Sequence, residues 1–178
     1  MAIKTRSQIK MIPLVVYSII LLELFPIVFF DIKYRKISNY WSLLNFVLFF
    51  ILLFVFKEKY TVSLLMFKLP GIFLLAGLIL YKLKMVGAGD VKYIFSLLFL
   101  VPLSYQGEYL TLLGFTSVAY AIVNIFIKYL REFDTFFFYL KTVNIKGMMK
   151  LTGKKVPFAP AMLMAWIWFG WMFQKLIF

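Results

Sequence analysis

Residues 11–30 read MIPLVVYSIILLELFPIVFF, twenty residues interrupted by a single charge, Glu23, and closed by Asp31-Ile32-Lys33-Tyr34-Arg35-Lys36. About 20 apolar residues in helical form cross the hydrocarbon of a bilayer. The run therefore predicts a membrane helix. The basic start at residues 1–10 imitates a signal peptide, but the run is long for an h-region, no small-x-small cleavage site follows it, and further apolar runs come after.

The rest of the chain repeats this pattern. It has 178 residues, of which 64% are hydrophobic, with a mean hydropathy of +0.94. A soluble domain is nearer half apolar. So apolar a chain cannot cover itself with polar surface, and lipid becomes its solvent. The expected fold is all-α and polytopic: one integral-membrane domain over residues 1–178, about six transmembrane helices and no separate soluble domain within this length. Helix 2 is expected from Tyr40 to Phe56, capped by Ser38 or Asn39. The stretch from Tyr60 to Leu83 fits either an interfacial helix turning at Lys68-Pro70 into helix 3, or one long kinked helix in which Lys68 snorkels. Helix 4 is expected from Asp90 to Leu103, then a turn at residues 104–108, and helix 5 from Tyr109 to Tyr129. Residues 130–157 mix lysines with phenylalanines, Phe136 to Phe138 in a row, and suggest an amphipathic surface helix lying on lipid. The last helix is expected over Phe158–Phe173.

Charge orients the bundle. The sequence carries 20 Lys and Arg against 7 Asp and Glu. Thirteen of the twenty basic residues fall in the connections 31–40, 82–92 and 128–157, all on one side of a six-helix bundle. Positive residues favour the cytoplasm, so that side is expected to face inward, with the N-terminus outside. The net charge of +13 is accounted for by lysines flanking helices and meeting anionic lipid, and nucleic acid is not an expected partner.

There is no cysteine and no histidine. Disulfides, thiolate metal sites, cysteine nucleophiles, serine–histidine triads and histidine-held zinc are therefore excluded. The useful acid–base groups are the seven carboxylates, the lysines and the tyrosines. Two carboxylates stand out by position. Asp31 ends the first apolar run. Asp90 follows two glycines in Gly87-Ala88-Gly89-Asp90-Val91-Lys92. Both are expected at one side of the membrane, where the end of helix 1 and the start of helix 4 can lie side by side.

Two neighbouring carboxylates can hydrolyse a peptide without metal. One takes a proton from water as it attacks the carbonyl, and the other donates a proton to the carbonyl oxygen. Such a pair titrates as a unit. Gly87 and Gly89 suit a turn at positive φ and the close approach of a substrate backbone. Asp90 at a helix start lies at the positive end of the dipole, which favours negative charge. The plain alternative is that Asp90 is a helix cap and Asp31 an ordinary helix-end residue. Glu23, eight residues before Asp31, is a candidate for tuning the site or lining a polar groove, and its plain alternative is a Glu bonded to a neighbouring helix, or protonated. Lys92 is a candidate for ordering Asp90, or an ordinary inward-side lysine. Pro157 and Pro160 are candidates for shaping substrate entry, although prolines are ordinary at helix starts. Nothing in the pattern calls for a metal or a cofactor.

Three stretches together resemble the type IV prepilin peptidase family of bacteria and the related archaeal preflagellin peptidases. Asp31-Ile32-Lys33-Tyr34-Arg35-Lys36-Ile37-Ser38-Asn39 is similar to the family's aspartate followed by basic residues, Ile, Pro and Asn, with Ser38 where proline is usual. Met85-Val86-Gly87-Ala88-Gly89-Asp90-Val91-Lys92 resembles its Gly-x-Gly-Asp signature. Lys155-Val156-Pro157-Phe158-Ala159-Pro160 resembles the stretch that opens its last helix. The resemblance runs in order across most of the chain. It implies an aspartic endopeptidase of the cytoplasmic membrane with Asp31 and Asp90 as catalytic pair. Such an enzyme cuts a short basic leader from prepilin-like proteins on the cytoplasmic side.

Full-length bacterial members carry a cysteine-bearing insert and also methylate the new N-terminus. Here only the short connection 31–40 stands at that place, so the resemblance implies peptidase without methyltransferase activity. This short form is similar to the enzymes of tight-adherence (Flp-type) pili. Two other readings remain open. One is a presenilin-like intramembrane protease, since Pro160-Ala161-Met162 is similar to that family's Pro-Ala-Leu, but Phe30-Asp31 replaces its usual Tyr-Asp. The other is a non-enzymatic structural membrane subunit.

Overall fold

The computed structural model describes residues 13–57, 60, 62–83, 86–142 and 157–172. Among these the protein is all helical. Its elements are α1 (Leu14–Tyr34), α2 (Asn39–Val55), α3 (Leu64–Lys82), α4 (Ala88–Leu100), a 3₁₀ turn (Leu103–Tyr105), α5 (Gln106–Arg131), α6 (Phe133–Lys141) and α7 (Ala159–Met172). Helices α1, α3 and the stretch Leu103–Arg131 are long and apolar enough to cross a membrane; α2 and α7 are apolar but shorter, at 17 and 14 residues, and α4 has 13. Large apolar side chains stand exposed along these helices, among them Leu22, Phe29, Phe54, Leu75 and Phe126. This is the surface of an all-α membrane protein, because lipid imposes no penalty on outward-facing leucine and phenylalanine.

Lipid is as apolar as a leucine side chain, so these helices associate through close packing and hydrogen bonds rather than hydrophobic burial. Two groups result. In one, α4 packs on α2 and α3. Phe99 meets Phe46, Phe49 and Phe67, with ring centroids 5.3–5.8 Å apart. A Cβ built on Gly77 would stand 2.6 Å from a methyl of Val91, so only glycine lets α3 approach α4 this closely. In the other group α7 packs on α1 and α5. Trp166 stacks on Tyr17 at 5.4 Å, meets Tyr109 edge-on, and donates its indole N–H to the Tyr17 carbonyl at 3.2 Å. Thr116 of α5 donates to the Ala161 carbonyl at 3.0 Å.

Helix α4 is the axis of the fold. Its C-terminal half is enclosed by the other helices, and Tyr93, Ile94 and Leu97 to Leu100 are all buried. Its terminal carbonyls have no partners within the helix. Side chains from outside supply them. Tyr60 donates to Leu100 O at 2.7 Å, and Gln106 donates to Leu98 O at 3.0 Å.

Several boundaries differ from the sequence-based expectation. Helix α1 runs past Phe30 to Tyr34, because nothing before Arg35 stops it; Arg35 takes the left-handed conformation (φ 55°) and donates its N–H to the Asp31 carbonyl. The stretch 60–83 resolves into one helix, α3, with Pro70 inside it and its start at Leu64 rather than Tyr60. Helix α5 begins at Gln106, so the expected turn at 104–108 shrinks to the 3₁₀ turn. Of the expected surface helix, α6 occupies Phe133–Lys141, with Phe137 and Phe138 exposed and Phe136 packed on Tyr129 at 4.4 Å. Residues 143–156 lie outside the described residues. Ser38 caps α2 as expected, accepting from the Tyr40 N–H at 3.4 Å.

Candidate functional site

The connection from α1 to α2 crosses the start of α4. Its Ile37 is buried, and its carbonyl lies where a side chain on Gly89 would begin: a Cβ there would stand 2.6 Å from Ile37 O. Gly89 is thus required by backbone approach. The positive φ expected of these glycines is absent: Gly87 has φ −78°, Gly89 is helical, and no described glycine has positive φ. The chain itself fills the space beside Gly89.

Helix α4 also starts two residues earlier than expected, at Ala88. Asp90 is therefore its third residue, one turn in. From there its Oδ2 reaches back and accepts the Gly87 N–H at 2.9 Å. This is the reciprocal half of a capping box. A Cβ on Gly87 would approach that same oxygen at 2.7 Å.

Asp31 lies within the last turn of α1 and is 4% exposed. Its Oδ2 accepts the Ala159 N–H at 2.9 Å. Helix α7 opens Pro157-Phe158-Ala159-Pro160, and two of those four residues have no N–H to give. The Ala159 N–H is thus one of few donors at the positive end of α7, and a carboxylate suits that place. Pro157 is buried and Pro160 half-buried, both beside this bond.

A cleft of about 640 Å³ opens between these parts. Phe30, Tyr34 and Arg35 line it from the end of α1, Lys36 to Asn39 and Trp41 from the connection and the start of α2, and Gly87 to Asp90 from the start of α4. Asp90 thus stands in the cleft wall. Asp31 follows a wall residue, Phe30, but its carboxylate is directed at the last helix.

The other candidates take distinct places. Glu23, Pro157 and Pro160 do not line this cleft; Glu23 is buried in the bundle on the same face of α1 as Ile27 and Asp31. Lys92 is exposed, with its ammonium donating to Asn39 Oδ1 at 3.4 Å, and it lines a second groove with Ser42, Phe46 and Phe95. Sequence reasoning missed the cleft walls Phe30, Tyr34 and Trp41, and the Ala159 N–H. A helix start poor in N–H groups, preceded by proline, was the available signal for the latter.

Comparison with family models, with curated proteins and with solved structures returns no match for this chain.

Proposed function

We propose that the protein is a membrane aspartic endopeptidase that removes the short basic leader of prepilin-like or preflagellin-like proteins, with Asp31 and Asp90 as its acid–base pair. The observation that supports this is the cleft: the Gly87–Asp90 turn forms one wall and the last turn of α1, which carries Asp31, forms another. In this reading an extended substrate segment lies along the connection 35–41. Asp90 takes a proton from water as it attacks the scissile carbonyl, and Asp31 gives one to the carbonyl oxygen. Gly87 and Gly89 keep the α4 start narrow, and the Ala159 N–H orients Asp31. The site faces the cytoplasm of the inner membrane, on the side where basic residues concentrate. Basic leaders are held on that side by the membrane potential and by anionic lipid.

The test is co-expression with a prepilin-like substrate, comparing wild type with Asp31→Asn and Asp90→Asn by gel mobility. Asparagine keeps one accepting oxygen at each position, so each variant is expected to fold. Loss of the processed band in both, at equal membrane levels, is expected. Processing preserved in either variant would overturn the proposal and leave the carboxylates as helix caps.

A further inference from the structure

Beside the cleft a groove of about 760 Å³ opens between α2, α3 and α4. Asn39, Ser42 and Phe46 line it from α2, Leu74 from α3, and Lys92 and Phe95 from α4. Helices α2 and α4 run in the same direction. Lys92 meets Asn39, Ser96 meets Asn45 and Phe99 meets Phe49, so contacts advance together along both chains. The two walls therefore change character together. On α2, Asn39 is followed on the same face by Ser42 and then Phe46. On α4, Lys92 is followed about one turn later by Phe95. Over about 10 Å of helix the lining passes from amide, hydroxyl and ammonium to two phenyl rings, whose centroids lie 6.0 Å apart. A groove polar at one end and apolar at the other has the form of an amphiphile.

The polar end is cationic. A lysine ammonium has three N–H donors. Among the described residues that of Lys92 has one partner, the neutral Asn39 Oδ1 at 3.4 Å. Asp90, two residues earlier, lines the cleft rather than the groove, and its Oδ2 accepts the Gly87 N–H. None of the described residues that line the groove is a carboxylate. Ser42, at the same end, is 8% exposed, and its hydroxyl has no hydrogen-bond partner. Buried polar groups are nearly always hydrogen-bonded, so an unmatched one bordering a groove points to a ligand.

We infer that this groove binds one anionic phospholipid, with the phosphate on the Lys92 ammonium and an acyl chain over Phe46, Leu74 and Phe95. Lysine meets phosphate as a point charge. A zwitterionic headgroup brings a second positive charge beside Lys92, where no carboxylate receives it, so an anionic class such as phosphatidylglycerol fits better. An apolar protein helix in the same place covers the ammonium without offering it a negative charge, which is costly. The groove and the cleft share Ser38 and Asn39, so the bound lipid braces one side of the cleft. The inference goes beyond the proposed peptidase and does not depend on it.

The test uses purified full-length protein, delipidated in an uncharged detergent. Phosphatidylglycerol or phosphatidylcholine with the same acyl chains is titrated in, and native mass spectrometry counts the lipids bound. Wild type is expected to take up one phosphatidylglycerol at roughly fivefold lower concentration than phosphatidylcholine, the preference that one lysine near a membrane surface gives. Lys92→Gln is expected to lose that preference and Lys92→Arg to keep it. Lys82→Gln removes the same charge from an exposed lysine outside the groove and is expected to keep it too. No preference in wild type, a full preference in folded Lys92→Gln, or an equal loss in Lys82→Gln would each overturn the site. The last would show a general attraction of surface charge. Uptake of an uncharged apolar peptide helix by a wild type that binds neither phospholipid would give the groove to a protein partner and also defeat the inference.

Discussion

Asp31 and Ala159 lie 128 residues apart in the chain and are joined by a 2.9 Å hydrogen bond from the Ala159 N–H to the Asp31 carboxylate. The bond ties the end of α1 to the start of α7, and it separates two roles that one residue can hold. Asp31→Asn keeps an accepting oxygen. Asp31→Ala leaves a buried N–H without a partner, which costs about 1–3 kcal/mol. Thermal unfolding in detergent should therefore place Asp31→Ala clearly below wild type, and Asp31→Asn within about 1 kcal/mol of it. Equal loss in both would mean that the negative charge, rather than the bond, holds α7 in place.

The two glycines before Asp90 should respond unequally to alanine. At Gly89 the new methyl meets the Ile37 carbonyl, which is backbone and cannot step aside. At Gly87 it meets the end of the Asp90 side chain, which can rotate. Gly89→Ala is expected to cost about 1–3 kcal/mol, as overpacking generally does. Gly87→Ala is expected to cost less in stability but to displace the Asp90 carboxylate, and so to reduce processing more than folding. Membrane levels and processed substrate measured together distinguish the two. A Gly89→Ala protein as stable as wild type would contradict the close approach.

Arg35 ends α1 in the left-handed region at φ 55°. A residue with a side chain loses roughly 1–2 kcal/mol there, and glycine does not. Arg35→Gly should therefore raise stability by up to about 1 kcal/mol, part of the gain being offset by the greater freedom of glycine in the unfolded chain. Arg35→Ala gains nothing, because alanine keeps the Cβ. Unfolding of the three proteins side by side checks the order.

Burial pushes the Tyr60 phenol well above the usual tyrosine range while it donates to Leu100 O. A raised value in the folded state means that the folded protein holds this proton more tightly. The contribution is fully present below the ordinary tyrosine pKa of about 10 and is lost as pH rises from there toward the folded value. Tyr60→Phe removes the proton and the bond. It should lower stability by about 1 kcal/mol at pH 8 and flatten the decline above pH 10 relative to wild type. Parallel declines in the two proteins would show that Tyr60 does not contribute to it.

Much of this arrangement is legible in the sequence, because lipid simplifies the grammar. Each apolar run became a helix, and the polar breaks at Ser38 and Gly87 became helix starts. What escaped was set between elements rather than along them. Asp31 reads as a helix end because charge follows it, yet α1 continues for three residues, as a charged last turn at a membrane boundary is no obstacle to helix. Gly87 and Gly89 read as a flexible turn, since glycine signals backbone freedom and close approach alike. Only the packed chain shows that Ile37 is the reason for Gly89. Asn45 stands inside an apolar run, and only the packed bundle shows that its amide nitrogen donates to Ser96 of α4 at 3.1 Å.

Helix α4 has 13 residues, about 20 Å of helix, against roughly 30 Å of hydrocarbon. It is too short to be recognised and retained by the insertion machinery as a span on its own. Its last carbonyls are satisfied by Tyr60, made before it, and by Gln106, made after it. An order in biogenesis is the expected consequence: α4 settles at full depth only after α5 emerges and brings Gln106. In chains that stop before Gln106, α1 and α3 are expected to integrate while α4 stays open to aqueous labelling, whereas in chains that extend through α5 it becomes protected.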